Sequence, residues 1–202
     1  MLSILIDSGY AKNINISYNT NLSYSKFKKY DLKSIWNNFN KVSLWPSVDG
    51  FGERAEYSRK GLDWSKFKKH ASLFKDNITT ISSVINIYSI TSMPDLILWC
   101  KKNKFDFYGT TLINPPEQKI TCLPKQSKQD IITLYKKFII EYKAILAVND
   151  LEQIKSWLLF MSSEDTSYLL PTFKAEQERL DILRKESFTN VFPEFATWYN
   201  NI

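Results

Sequence analysis

Residues 42–61 have the sequence VSLWPSVDGFGERAEYSRKG, which divides into an apolar half and a charged half. The apolar run over residues 42–48 predicts a short buried strand. Asp49, Gly50 and Gly52 interrupt it, and the glycines indicate a turn that requires positive φ or close backbone approach. The charged residues after the turn are Glu53, Arg54, Glu56 and Arg59. Ligands of α/β proteins bind at the carboxyl ends of strands, so this stretch predicts one wall of a binding site. A plain strand-to-helix loop with surface ion pairs is the alternative.

The alternation of apolar strand and amphipathic helix extends on both sides of this stretch. The predicted strands cover residues 14–18, 42–48, 78–87 and 105–113, and the predicted helices cover residues 2–9, 32–40, 63–75 and 92–102. One helix between consecutive strands is the pattern of parallel βα units. We therefore predict an α/β fold with parallel strands, as part of either a doubly wound sheet or a βα barrel. The polar residues at the strand ends should meet at one rim: they are Asn19, Thr20, Asn21, Ser47, Asp49, Asn86 and Asn114.

The pattern changes after Pro116, which divides the chain into a βα region, residues 1–115, and a mainly helical C-terminal region, residues 116–202. The C-terminal region is predicted to contain a brief strand and three helices, at residues 119–123, 127–146, 150–161 and 171–185. Its last part is rich in aromatic residues, and we expect it to pack back onto the rest of the protein.

The chain has 202 residues and a formal net charge of +6, with its 27 lysines and arginines spread along the whole length. This distribution is only a weak indication of nucleic-acid binding. The two cysteines of the chain, Cys100 and Cys122, favour a reducing, cytoplasmic setting over a disulfide framework. No run of about 18 apolar residues occurs, so we expect no transmembrane helix and no membrane partner. The single histidine, His70, follows two lysines and is predicted to lie on the surface.

Three stretches resemble the radical SAM superfamily, in particular its twitch-domain branch, which is related to the SPASM-type maturases. They are Tyr18–Leu22, Ser47–Gly61 and Leu180–Glu194. The Ser-Val-Asp-Gly run with the trailing Arg59 is the more specific part of the resemblance. The resemblance implies a partial radical SAM (βα) barrel with parallel strands. It also implies S-adenosylmethionine as the cofactor, bound to a 4Fe–4S cluster and cleaved reductively to a 5′-deoxyadenosyl radical.

The chain departs from the family in two motifs. It has neither the CxxxCxxC motif, whose three cysteines bind the cluster, nor the Gly-Gly-Glu motif that binds the methionine amino group. Both belong to the first two βα units of the family, and this sequence opens directly on an apolar helical pattern at Leu2. We therefore expect a C-terminal portion of a radical SAM protein, inactive without its N-terminal half or a complementing chain. No metal ligand and no catalytic residue are predicted in the chain itself.

The resemblance implies cofactor contacts at the rim. The residues that match are Thr20, Asn21, Ser47, Asp49, Arg59 and Asn86. Asp49 could instead only shape its turn. Arg59 is expected to pair with the carboxylate of S-adenosylmethionine, and the alternative is an ion pair with Glu53 or Glu56. Asn86 faces the cofactor or substrate, or caps the end of its strand. Three further residues are expected nearer the substrate, for which the resemblance implies a peptide: Tyr108, Thr110 and Asn114.

Two other functions compete with the enzymatic one. The aromatic helices could form a protein-interaction module without catalytic activity. Lysines interleaved with Phe27 and Phe67 could bind nucleic acid, although this is the least favoured function; they are Lys26, Lys28, Lys29, Lys66, Lys68 and Lys69. If the first strands of a barrel are missing, the strand at 14–18 has an open edge, which predicts poor solubility or dimerisation.

Overall fold

A computed structural model describes residues 2–202 of the chain. The strands are β1 (Asn15–Thr20), β2 (Lys26–Phe27), β3 (Tyr30–Asp31), β4 (Lys41–Pro46), β5 (Thr80–Ile85) and β6 (Asp106–Thr111). The helices are α1 (Leu2–Asp7), α2 (Leu32–Trp36), α3 (Glu53–Ser58), α4 (Trp64–Leu73), α5 (Met93–Asn103), α6 (Lys125–Tyr142), α7 (Val148–Ser163), α8 (Leu170–Arg184), α9 (Phe188–Val191) and α10 (Ala196–Asn200). Short 3-10 turns connect several of them, at Tyr10–Asn13, Lys75–Asn77, Ile90–Ser92, Pro116–Gln118, Ile120–Cys122, Ser167–Leu169 and Pro193–Phe195.

The four longer strands are parallel and lie side by side in the order of the sequence. β1 pairs with β4, and β5 pairs with β6. Bridges between Leu44 and Ile78 and between Ser47 and Ser82 connect β4 to β5. The Val48 N–H also donates to the Ser82 carbonyl at 2.9 Å. The prediction of an α/β fold with parallel strands is therefore confirmed, and the strands do not close into a barrel.

One face of these strands is covered by helices. Trp36 of α2 contacts Tyr18 of β1, with ring centroids 6.0 Å apart, and also contacts Phe74 just after α4, at 4.9 Å. At the other end of the strand order, Trp157 of α7 contacts Phe107 of β6, with centroids 6.1 Å apart. The pairing registers place Tyr18 and Phe107 on the same face of the pleat, so the helices that bury this core lie on one side.

The opposite face is open and mainly polar, and we call it the open face. Its exposed residues are Asn15, Ser17, Asn19, Lys41, Trp45, Asp106, Tyr108 and Thr110, and its half-buried residues include Ser43, Ser47, Ser82 and Val84. Parallel sheets are normally covered on both faces. Because this one is covered on a single face, polar and aromatic side chains of all four strands face solvent together.

The edge of β6 is covered by two side chains of α7. The Gly109 N–H donates to Gln153 Oε1 at 2.7 Å, and Gln153 Nε2 donates to the Phe107 carbonyl at 3.3 Å. Trp157 Nε1 donates to the Gly109 carbonyl at 3.2 Å. A Cβ atom at Gly109 would overlap the Trp157 ring, so glycine is required for this close approach. Three of the backbone groups that β6 directs away from β5, the Phe107 carbonyl and both groups of Gly109, therefore have partners on α7.

The C-terminal region differs from its prediction at the start. The strand predicted over residues 119–123 is wrong, since Ile120–Cys122 forms a 3-10 turn in which all three side chains are buried. A strand with one solvent face would alternate instead. The three long helices are present and run somewhat longer than, or offset from, their predicted bounds. In agreement with prediction, the aromatic C-terminus packs back onto the βα region, where Phe192 contacts Tyr57 of α3 with centroids 5.3 Å apart.

Candidate functional site

Three of the residues predicted at the rim form one hydrogen-bonded group, which we call the rim cluster: Asn21, Asp49 and Arg59. Arg59 Nε donates to Asp49 Oδ2 at 2.7 Å, and Arg59 Nη1 donates to Asn21 Oδ1 at 2.8 Å. Asp49 Oδ1 accepts from the Val84 N–H at 2.7 Å, which links the end of β4 to β5. The cluster thus lies at the carboxyl ends of neighbouring parallel strands, as the sequence predicts.

The alternative partners considered for Arg59 are wrong. Arg59 pairs with Asp49, whereas Glu56 Oε1 accepts from the Trp64 N–H at 2.7 Å. Arg59 Nη2 makes no hydrogen bond within residues 2–202, and the side chain keeps 26% of its surface exposed. Nη2 can therefore donate to a further anionic group.

The two glycines of the turn explain how Arg59 returns to Asp49. Gly50 has φ of 127° and Gly52 has φ of 61°, a region that favours glycine. A Cβ atom at Gly50 would also lie only 3.1 Å from the backbone nitrogen of Ala55. The turn therefore brings the start of α3 against the strand end. Arg59 follows the last residue of this short helix, with φ of −123°, and its side chain reaches back to the rim.

Thr20 and Ser47 lie at the same rim but make different contacts. Thr20 Oγ1 accepts from the Leu22 N–H at 3.0 Å, which shapes the loop after β1. Ser47 Oγ lies 3.1 Å from Ser82 Oγ, and both hydroxyls are half-buried on the open face. Sequence reasoning missed Ser82, although a serine at alternate spacing inside an apolar strand was a usable signal. The hydroxyl pair could donate to, and accept from, a bound ligand.

Asn86 is buried and occupied by its own turn. Its Oδ1 accepts from the N–H groups of Tyr88 and Ser89, at 3.0 and 3.1 Å. Its own N–H donates to Ser89 Oγ at 2.9 Å. These are the bonds of the strand-end cap that the sequence allowed as an alternative. A role in binding stays a prediction for this residue.

The residues predicted near the substrate are exposed. Tyr108 and Thr110 lie on the open face, and Asn114 follows β6 in an exposed turn. Tyr108 and Trp45 of β4 line a depression of about 400 Å³, which also includes the buried Asp150 paired with Lys101 at 2.5 Å. Tyr108 pairs in register with Ser82, the partner of Ser47, so it lies on the open face in line with this hydroxyl pair.

The predicted surface position of His70 is wrong, and both cysteines are buried. His70 is buried, not on the surface, and its Nδ1 lies 2.6 Å from the Leu22 carbonyl, to which it donates. Cys100 is buried in α5, and burial raises its pKa well above the ordinary range. Burial likewise raises the pKa of Cys122 to about 11. Within residues 2–202, no group of three or more histidine, cysteine, aspartate or glutamate side chains could hold a metal ion.

Only one of the two aromatic side chains predicted to bind nucleic acid is exposed. Phe67 is 1% exposed and stacks on Trp64 inside the core, with centroids 5.4 Å apart, so it cannot stack on a base. Phe27 is exposed in the β2–β3 hairpin. The lysines of α4 therefore lie beside buried rings, whereas Lys28 and Lys29 of the hairpin keep exposed aromatic neighbours in Phe27 and Tyr30.

Comparison with known proteins leaves the family of this chain open. No protein-family model, curated protein or solved structure matches it. No helix within residues 2–202 has the length and apolar character to cross a membrane. The geometry of the rim and of the open face is therefore the basis for a functional proposal.

Proposed function

We propose that this chain is the S-adenosylmethionine-binding part of a radical SAM-type protein that modifies a peptide. The rim cluster supports this most directly, because it places an arginine whose Nη2 has no hydrogen-bond partner within residues 2–202 at the carboxyl ends of parallel strands. In parallel βα proteins this is the end at which ligands bind. The buried free thiols suit a reducing compartment, and we propose a cytoplasmic location.

The arrangement of strands supports a barrel segment over a doubly wound sheet. The strands follow the order of the sequence, and the helices that cover them lie on one face. A doubly wound sheet reverses its strand order and has helices on both faces. In a barrel segment the open face lines the interior, which accounts for its polar character and for the aromatic side chains Trp45 and Tyr108 that project from it.

The rim residues would bind and orient S-adenosylmethionine. Arg59 Nη2 would donate to the ligand carboxylate, since Asp49 and Asn21 already hold Nε and Nη1. The hydroxyls of Ser47 and Ser82 would hydrogen-bond to the ribose or the methionine amino group. S-adenosylmethionine supplies the radical chemistry, and these residues only position it.

The 4Fe–4S cluster does not fit the residues of this chain. A cluster with one open iron needs three thiolates at close spacing. Cys100 and Cys122 are both buried, lie on separate elements, and have raised pKa values. We therefore derive no step through the cluster, and propose that its ligands belong to a complementing polypeptide.

Isothermal titration with S-adenosylmethionine tests the proposal on the chain as it is. We expect saturable binding that weakens at least tenfold in Arg59→Met, which corresponds to about 1.4 kcal/mol. Arg179→Met is the matched control, because Arg179 is an exposed arginine on α8 that pairs only with Glu176. Ser47→Ala tests the hydroxyl pair without removing a charge. Absence of saturable binding, or equal affinity in Arg59→Met and Arg179→Met, would refute the assignment.

A further inference from the structure

The outer edge of β1 is unpaired. The Thr20 carbonyl accepts from the Ser47 N–H at 2.8 Å, so the even-numbered residues of β1 direct their backbone groups towards β4. The N–H and C=O groups of Ser17 and Asn19 therefore point the other way. Within residues 2–202 they have no hydrogen-bond partner beyond the β1–β4 pairing. The contrast with β6 is clear, because there Gln153 and Trp157 satisfy the corresponding groups.

A groove of about 800 Å³ lies directly beside this edge. Its floor is on the helix-covered face and consists of Tyr18, Trp36, Leu44 and Phe74. Its walls are the loop after β1 and the β2–β3 hairpin, which also contribute apolar side chains: Leu22, Tyr24, Phe27 and Leu32. An unpaired strand edge and an apolar groove thus share one border, which is the arrangement that strand addition requires.

The charge of the groove indicates the chemistry of its occupant. Lys26 and Lys28 lie on its wall, and none of its lining residues is acidic. Neither lysine forms an ion pair within residues 2–202, although Lys28 Nζ lies 5.8 Å from the Phe27 ring. A second copy of this chain would bring two such lysine pairs close together. An acidic segment would instead find complementary charge.

We propose that the β1 edge and this groove bind an extended acidic peptide segment as an added strand. Alternate side chains of an added strand point to opposite faces. Its apolar residues enter the groove at every second position, and carboxylates on the same face lie near Lys26 and Lys28, which also line the groove. The backbone groups of Ser17 and Asn19 supply the hydrogen bonds, and the groove supplies selectivity. This inference is independent of S-adenosylmethionine, because it uses neither the rim cluster nor the open face.

Fluorescence anisotropy with a labelled probe peptide, acetyl-Glu-Thr-Val-Thr-Leu-Thr-Glu-amide, whose glutamates and apolar residues share one face, tests the proposal. We expect saturable binding that falls at least tenfold in Ser17→Pro, because proline removes an outward N–H and places its ring in the path of the added strand. The β1–β4 pairing does not use that N–H. Ser17→Ala is the control for the side chain alone, and it should bind as the unchanged chain does. Equal binding by the proline and alanine variants would overturn the proposal.

A second pair of variants tests the charge. The double variant Lys26→Glu/Lys28→Glu should bind the acidic probe at least tenfold more weakly. It should instead prefer a probe whose glutamates are replaced by lysines. Lys33→Glu on α2 is the matched control, since Lys33 is exposed and lies outside the groove lining. The proposal is wrong if the control and the double variant lose affinity equally.

Two measurements do not depend on the folding of a variant. The probe carrying N-methyl groups on alternate residues should bind in one methylation register and fail in the other, because only one set of amides faces β1. Hydrogen exchange at the amides of Ser17 and Asn19 should slow on binding, whereas the Gly109 amide should be protected in both states. Binding in neither register, or equal binding in both, would overturn the proposal. A dimer that Ser17→Pro dissociates and that excludes the probe would show that a second copy of the chain, not a peptide, occupies the edge.

Discussion

Replacing Gln153 with leucine should destabilise the protein by about 2–4 kcal/mol. Gln153 makes two of the three hydrogen bonds from α7 to the β6 edge, accepting from the Gly109 N–H at 2.7 Å and donating to the Phe107 carbonyl at 3.3 Å. Leucine is similar in volume but leaves these two buried backbone groups without partners. An unsatisfied buried group costs about 1–3 kcal/mol, and the apolar side chain offsets part of the sum.

Urea unfolding at 25 °C, followed by tryptophan fluorescence, measures this loss as a lower midpoint at unchanged slope. The melting temperature should fall by roughly 4–16 °C, given about 2–4 °C per kcal/mol for a chain of this size. Gln126→Leu is the control, since Gln126 is an exposed residue of α6 that bonds only to Asp130, and it should change stability by less than about 0.5 kcal/mol. If the two variants are equally stable, the hydrogen bonds from Gln153 do not stabilise the β6 edge. The distinction between a satisfied β6 edge and an unpaired β1 edge would then be wrong.

Three other outcomes follow from named contacts. Gly109→Ala should destabilise the protein by about 1–3 kcal/mol in the same urea assay, because the new Cβ overlaps the Trp157 ring. Lys119 Nζ donates to Glu164 Oε1 at 2.6 Å, which keeps the pKa of that carboxyl below its ordinary value. The contribution of this pair to the free energy of unfolding is therefore present above the pKa of the unfolded state. It is lost as the pH falls through the pKa of the folded state. The melting-temperature difference between the unchanged chain and Lys119→Met should therefore be largest near neutral pH and should shrink as the pH falls below about 4.3, the ordinary pKa of a glutamate. Cys122 should react with a disulfide reagent at pH 8 at least about a hundredfold more slowly in the native state than in urea, because it is buried and its pKa is raised to about 11.

Apolar periodicity located the elements of the βα region well, because each strand and helix buries one regular face. The same rule could have placed His70 correctly. It lies three residues after Phe67 and four before Phe74 on α4, on the buried side of the helix. The lysines before it favoured a surface position, but helix geometry determines which side a residue faces.

The partners of the site residues were harder to predict. Glu56 precedes Arg59 by three residues, a spacing that favours an ion pair on a continuous helix. Helix α3 ends at Ser58, however, and the backbone of Arg59 leaves helical geometry, so its side chain turns to Asp49. Which predicted residues would join the rim cluster depends on such local departures, and the composition of the stretch does not specify them.

Contacts between residues far apart in the sequence could not be predicted. Gln153 lies 44 residues from Gly109, and nothing in the spacing of α7 indicates that its polar side chain would satisfy a strand edge. The open β1 edge followed from the resemblance to a barrel portion, whereas the covered β6 edge did not follow from any sequence pattern. Strand addition was likewise not predicted, because the apolar lining of the groove comes from five separate segments of the chain.

The contacts of α3 with the C-terminus have a consequence for biosynthesis. Arg54 pairs with Glu194, 140 residues later, and Tyr57 donates to Asp181, 124 residues later. Helix α3 leaves the ribosome long before either carboxylate has been translated. Contacts of such sequence separation form slowly, and exposed apolar surface in the interval favours aggregation. Tyr57 of a nascent chain therefore stays unburied until Asp181 and Glu194 have been translated, and this is the interval in which a chaperone would act.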